Sequence, residues 1–294
     1  MIQWVSESDR LNSLSQALPQ TPLALDTEFI RERTFYPKLA LVQLRCADGD
    51  ELLIDPTALA TPGDLKPLLE GPTLKIMHSP SEDLQALLCG WNIKLGTIFD
   101  TQTAAALTGL GAGKSYQFLV ENLLGIQLQK GETRSDWLKR PLTESQCHYA
   151  AEDVRYLHEM HAILDEKLGV LGRRDWLKQE CDRMLATAAQ DVIDPNPHLT
   201  NRGAQRMDRE AQARYRRLLV WRDQNARQRD IPRSWILDNE LVVLLAQRPL
   251  TRTAFDSLLD GYTRSPRRSR SDLWEIVSRP LSEADLDLPL ASEP

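Results

Sequence analysis

Asp26-Thr27-Glu28 closes a short apolar run, Pro22 to Phe29, reading PLALDTEF. A run of this length after turn residues reads as a buried strand. Residues two apart on a strand face the same way, so Asp26 and Glu28 project together from its end. Paired carboxylates repel each other and are costly to desolvate. They either stay in water or gather a cation. On the tripeptide alone, two solvated acids is the simpler reading, and the rest of the chain has to decide.

The surrounding pattern predicts an α/β domain. Residues 7–18 have helical spacing, and the strand 22–29 follows. LALVQLRC (39–46) and ELLID (51–55) read as two more strands joined by the turn at 47–50, in an antiparallel meander. LKIMH (74–78) and TIFD (97–100) are a fourth and a fifth strand. Each is followed by a helix, which favours parallel pairing in this half of a mixed five-stranded sheet. Ser79-Pro80 is expected to open the first of these helices, with Ser79 as its cap. GLGAG at 109–113 precedes Lys114-Ser115, but a phosphate-binding loop would need glycine at Thr108, so that reading is rejected. Thr143-Glu144-Ser145-Gln146 fits a capping box that starts a helix running to about Lys167. A further helix is expected over 173–190.

Asp194-Pro195-Asn196-Pro197 marks a linker. The expected organisation is therefore a domain over 1–195, a small all-α domain over 205–282 and a loose acidic tail over 283–294.

Charge is segregated along the chain. Residues 1–199 carry 19 Lys and Arg against 28 Asp and Glu, whereas 200–280 carry 17 against 10, and all 17 are Arg. Arginine binds phosphate bidentately and stacks on bases, so an arginine-rich module attached to an acidic one points to a nucleic-acid partner. A solvated helical surface with internal ion pairs is the competing reading. Cys46, Cys89, Cys147 and Cys181 form no CxxC pair, which argues against a zinc knuckle or a redox motif. No signal peptide is visible, and apolar stretches such as ELVVLLA near Leu241 are too short to span a bilayer. A cytoplasmic protein is expected.

Three further acidic or phenolic positions join the first pair. Asp83, in HSPSEDL, lies in the first turn or two after the fourth strand. Asp153 sits on the helix begun at Thr143, and Tyr149, four residues earlier, shares its face. Asp26, Glu28, Asp83, Tyr149 and Asp153 together resemble the DEDD superfamily of 3′–5′ exonucleases, Tyr subclass. LALDTEFIRERTFYPKLALVQL, HSPSEDL, FDTQTAAAL, GETRSDWLKRPLT and YAAEDVRYL carry the likeness across residues 20–190. Residues 205–280 are similar to a helical domain shared by RecQ-type helicases and exonucleases of this kind. Familiar members carry two copies of that module, and one is found here.

The resemblance implies a ribonuclease-H-like fold and hydrolysis of RNA from its 3′ end to nucleoside 5′-monophosphates, with tRNA precursors and other small structured RNAs as substrates. It implies two divalent ions, Mg²⁺ with Mn²⁺ as a substitute, held by Asp26, Glu28, Asp83 and Asp153. Asp26 would bridge the pair, Glu28 and Asp153 would serve the ion that activates water, and Asp83 the other. Four carboxylates nearly balance two such cations, and two ions about 3.5–4 Å apart suit in-line phosphodiester hydrolysis. Tyr149 would orient the attacking water. A sister subclass uses a His five residues before the last Asp, and His148 satisfies that spacing too; the string YAAEDV favours Tyr149. A DNA exonuclease and a non-catalytic RNA-binding protein are the rival readings, and a monomer is expected.

Other residues are candidates for nucleic-acid contact. Phe29 could stack on a terminal base or be core, and His78 could meet a phosphate or be structural. Gln102 is expected to face the cleft, and Lys130 and Arg134 to meet backbone phosphates. Asp100 reads as an N-cap and Trp137 as a core anchor. In the helical module, Arg214, Arg216 and Arg217 with Tyr215, and Arg264, Arg267, Arg268 and Arg270 with Tyr262, suit RNA.

Overall fold

The computed structural model describes residues 1–18, 21–47, 49–128, 131–132, 135–190, 192–262 and 269–291. The chain divides into two compact units. One comprises residues 1–31 and 37–191, the other residues 32–36 and 192–294.

The first unit is a six-stranded mixed sheet flanked by helices. Its elements run β1 (Ile2–Val5), α1 (Ser8–Ala17), β2 (Leu23–Ile30), β3 (Lys38–Cys46), β4 (Glu51–Ile54), α2 (Leu65–Glu70), β5 (Leu74–Met77), α3 (Ser81–Trp91), β6 (Thr97–Asp100) and α4 (Thr101–Leu107). Then come α5 (Tyr116–Leu124), α6 (Glu144–Arg155), α7 (Leu157–Leu171) and α8 (Arg174–Ala189). The strand order is β1-β4-β3-β2-β5-β6. β2, β3 and β4 are antiparallel neighbours, while β5 runs parallel to β2 and to β6. β1 adds a sixth strand to the five expected, pairing parallel with β4 from Ile2↔Glu51 to Val5↔Ile54.

Strand alternation places a core on each face of the sheet. Leu23, Leu25, Val42 and Leu44 belong to the larger cluster, with Leu84 and Leu87 of α3. Leu41 and Leu53 point the other way, into a cluster with Trp137 and with Ala150 of α6. Small Ala150 and Ala151, both fully buried, let α6 lie close on the sheet. Arg140 fixes the chain entering α6: its guanidinium donates to both carboxylate oxygens of Asp55, at 2.8 and 2.6 Å, and to the carbonyls of Trp137 and Ala40.

β2 pairs with β5 only at Leu23 and Ala24. Beyond that pair the two strands are no longer bonded to each other, which leaves Asp26 at the carboxyl end of the paired stretch. The carboxyl ends of the strands are where open α/β sheets place their ligands.

Two local expectations change. Ser79 does not cap α3. It takes a left-handed φ of 55° and its N–H donates to Asp100, while Pro80 stands at the cap. The helix begun at Thr143 does not run through to Lys167 but breaks at Tyr156. The Tyr116 hydroxyl donates to the Glu152 carbonyl at 2.6 Å and accepts from the Tyr156 N–H at 3.3 Å, which diverts the backbone ladder there.

The second unit is helical: a 3₁₀ turn (Ala204–Arg206), then α9 (Arg209–Arg229), α10 (Arg233–Ile236), α11 (Asn239–Ala246), α12 (Arg252–Asp260), α13 (Arg270–Ser278) and α14 (Glu283–Leu286). Its core gathers Tyr215, Leu218, Trp221, Ile236, Leu241, Phe255 and Leu273, together with Phe35 from the five-residue segment 32–36. Asp230 accepts the N–H groups of Phe35 and Tyr36, each at 3.0 Å, and the guanidinium groups of Arg227 and Arg233 cover the Phe35 ring. The acidic segment after 282 is not loose through residue 291. Asp285 pairs with Arg217, and Ala291 exchanges hydrogen bonds with Gln212.

Candidate active site

Strand β2, the first turn of α3 and the middle of α6 bring the acids together. Asp26, Glu28 and Asp153 each offer a carboxylate oxygen, and these oxygens lie within 4.8 Å of one another. The β2–β3 register shifts between Glu28 and Phe29, a bulge just past the acid pair. Asp83 stands slightly apart. Its Oδ1 accepts from the Thr27 hydroxyl at 2.5 Å, although its charge still acts on Asp26 and Glu28. Thr27 faces away from its two acidic neighbours, so one tripeptide both supplies two acids and steadies a third.

The electrostatics follow from this crowding. Burial, then the charges of Asp83, Asp153 and Glu28, holds the Asp26 carboxyl well above the ordinary carboxylate range. Burial, with Asp153 and Asp83 nearby, pushes Glu28 up to about 9. Burial likewise lifts Asp153 to about 7, against a lowering hydrogen bond from Tyr149, and Asp83 to about 6, against the one from Thr27. Four acids in this position cannot all ionise without a positive charge among them. The donor set is all oxygen, dense and anionic, and it fits a hard divalent cation.

Tyr149 lies against this cluster. Burial and the charges of Asp153, Glu28 and Asp26 raise its phenol pKa, and it hydrogen-bonds Asp153. His148 points elsewhere: it is exposed on the helix surface, 3.6 Å from Glu144.

The other candidates sit as follows. Phe29 is half-buried against the larger core. His78 bonds through Nδ1 to the Thr101 hydroxyl at 2.9 Å and stands edge-on to Tyr116, and burial lowers its pKa. Gln102 donates its side-chain amide to the Lys114 carbonyl. Both side chains thus bond within the fold, at the ends of β5 and α4. Asp100 caps α4, accepting from the N–H groups of Gln102 and Thr103, and Trp137 is buried core. Lys130 and Arg134 lie outside the described residues, as do Arg264, Arg267 and Arg268.

In the helical unit, burial removes Tyr215 and Arg214 from the arginine–aromatic surface, and the other described residues of that reading bond within the unit. Tyr215 is core, and Arg214 is buried, donating to the Ala246 carbonyl at 2.8 Å. Arg216 donates to the Pro195 carbonyl, and Arg217 to Asp285 and the Arg279 carbonyl. Arg270 pairs with Asp256 and Asp260, and the Tyr262 hydroxyl donates to Asp238. Arg214 and Arg217 bond helix-end carbonyls, Arg217 and Arg270 pair with acids, and Arg216 holds the linker at Pro195, all inside their own unit.

Three site residues were not read from the sequence. Thr27 bonds an acid 56 residues away. Tyr116 carries a phenol pKa raised by burial and by Asp153 and Asp26. Gly131 lies so close to Tyr149 that a Cβ would fall 1.8 Å from its ring. Only Gly131 left a signal, a lone glycine in a loop that no turn required.

Comparison with known proteins places the chain. Residues 2–169 match a 3′–5′ exonuclease family model, and residues 211–277 match the HRDC domain. Ribonuclease D of Xanthomonas oryzae pv. oryzae is 45% identical over 290 residues, 97% of this chain and 79% of that protein. Ribonuclease D of a Shewanella species is 37% identical over 98% of this chain and 74% of its own length. The crystal structure of Escherichia coli RNase D, an exoribonuclease involved in structured RNA processing, superposes with a TM-score of 0.80 at 32% identity, covering 98% of this chain and 76% of that one. The chain belongs to the ribonuclease D family of 3′–5′ exoribonucleases.

Proposed function

We propose that this enzyme trims structured RNAs such as tRNA precursors from the 3′ end, releasing nucleoside 5′-monophosphates, with two Mg²⁺ ions held by Asp26, Glu28, Asp83 and Asp153. The observation that carries the reading is the convergence of oxygens from Asp26, Glu28 and Asp153 within 4.8 Å, with Asp83 beside them. Bound divalent ions supply a deprotonated water near neutral pH and neutralise charge on the phosphoryl group. The remaining work belongs to the chain. Asp26 and Glu28 hold their oxygens on one face of a rigid strand. Asp153 enters from α6, and Asp83 is held by Thr27.

Tyr149 is a positioning donor and acceptor rather than a base. A phenol is ordinarily protonated at neutral pH, and the Tyr149 hydroxyl, hydrogen-bonded to Asp153, can orient a water. His148, on the solvent side of the helix, has no such access.

An RNA substrate is supported by the family and by the structured-RNA role of the E. coli relative. Mg²⁺ is supported by the all-carboxylate donor set. We place the enzyme in the cytoplasm as a monomer, in keeping with a site whose acids all come from one chain; among the described residues no helix is long and apolar enough to cross a membrane.

The test is release of mononucleotides from 3′-labelled RNA, with Mg²⁺ or with EDTA, beside a matched DNA strand. Stepwise 5′-mononucleotides from RNA only with the metal, lost in Asp26→Ala, are expected. Equal digestion of the DNA would move the enzyme to the DNA exonucleases, and no metal-dependent release would end the reading.

A further inference from the structure

Gln43 is the direct cross-strand neighbour of Asp26 in the β2–β3 ladder. Paired residues of an antiparallel ladder share a face, with Cβ atoms about 4.5–5.5 Å apart. The Gln43 side chain therefore projects from the sheet next to that of Asp26, on the same face. It is 0% exposed, and its ladder neighbour on the other side is the apolar Leu53.

Neither Nε2 nor Oε1 of Gln43 has a hydrogen-bond partner among the described residues. Arg45, His198 and Arg222 also carry a buried unpaired atom, but each bonds through another atom: Arg45 to the Arg155 carbonyl, His198 to that of Pro289, Arg222 to that of Leu237. Gln43 differs in having both ends of its amide unpaired among the described residues. A wholly buried amide with no partner costs stability, and a position serving packing alone would hold leucine or methionine.

We propose that Gln43 is a positioning residue for Asp26: when Asp26 is ionised around a divalent ion, the Gln43 amide turns about its terminal torsions and donates Nε2–H to that carboxylate, fixing its plane. A carboxylate has about four acceptor sites, more than coordination takes up, and a buried amide is a donor that adds no charge to a site already crowded with acids. Groups that bond a ligating carboxylate typically tune metal affinity 10–100-fold. The inference rests on the metal-holding role proposed above.

Gln43→Met keeps the length and bulk of the side chain and removes both polar atoms. Mn²⁺ alone is titrated calorimetrically into the full chain and the variant, and the Tm of each is measured in EDTA. A loss of Mn²⁺ affinity of about ten-fold or more is expected, while the metal-free Tm holds or rises because two unpaired groups have left the core. Equal Mn²⁺ affinities would overturn the proposal alone. So would a metal-free Tm that falls along with the affinity, or a variant that does not fold, since either makes Gln43 a packing residue. No Mn²⁺ binding by the unaltered chain would sink the metal reading and this inference with it.

Discussion

The Thr27 hydroxyl donates to Oδ1 of Asp83 at 2.5 Å, joining the strand of the first acid pair to the opening turn of α3. This bond opposes the rise that burial forces on the Asp83 pKa, so it favours the ionised, cation-holding form.

Thr27→Val removes the donor and keeps the shape. It removes the side-chain bond to a buried carboxylate that keeps its backbone N–H bonds from Thr27 and Asp83, at a cost of about 1–3 kcal/mol, and loosens the hold on Asp83. Activity at fixed Mg²⁺ should fall about ten-fold or more, with a raised Mg²⁺ requirement. Thr27→Ser should stay near the unaltered enzyme. Steady-state rates across an Mg²⁺ series check this, and a valine variant with an unchanged Mg²⁺ profile would show that Asp83 needs no such support.

The acid cluster also makes a prediction about pH. Glu28 ordinarily titrates near 4.5 and is pushed to about 9 in the fold, with Asp83 at about 6 and Asp153 at about 7. For an acid whose folded pKa lies above its unfolded one, the folded state binds more protons across the interval. The metal-free protein should therefore lose stability as pH rises from about 4.5 towards about 9. Saturating Mg²⁺ stabilises the ionised acids and should flatten that decline, so the Tm gap between Mg²⁺ and EDTA samples widens with pH. Melting curves in matched buffers test this, and a gap independent of pH would mean that the acids ionise freely without a cation.

What was legible in the sequence was local. Alternation on β2 placed Asp26 and Glu28 on one face, and the capping box at Thr143 and Gln146 and the Asp100 cap are short-range hydrogen bonds with residue signatures. What was not legible depends on distant partners. β1 is four residues long and is held by β4 across 49 positions. The break at Tyr156 is imposed by a hydroxyl 40 residues earlier. Phe35 reads as part of the loop after the acid-bearing strand, yet packs in the helical core beneath two guanidinium groups. Arg214 and Arg217 look like phosphate ligands in composition. In the fold, a helix-end carbonyl and Asp285 already engage them.

Gly131 makes the sharpest test of Tyr149. A Cβ built at residue 131 falls 1.8 Å from Cε2 and 1.9 Å from Cδ2 of the Tyr149 ring, so no side chain fits while the ring stays in place. Gly131→Ala must displace either the loop or the phenol. If Tyr149 orients the attacking water, displacing it and removing its hydroxyl should have similar effects. Gly131→Ala and Tyr149→Phe should each lower kcat by about 10²-fold or more, a typical size for losing a positioned proton-handling or orienting group. KM for a short RNA should change little. The double variant should be no worse than the more damaged single one, because both act through one hydroxyl. Single-turnover rates on a 3′-labelled oligonucleotide separate the outcomes. Full activity in Tyr149→Phe would remove the phenol from the chemistry, and additive losses would mean that Gly131 acts through something other than Tyr149.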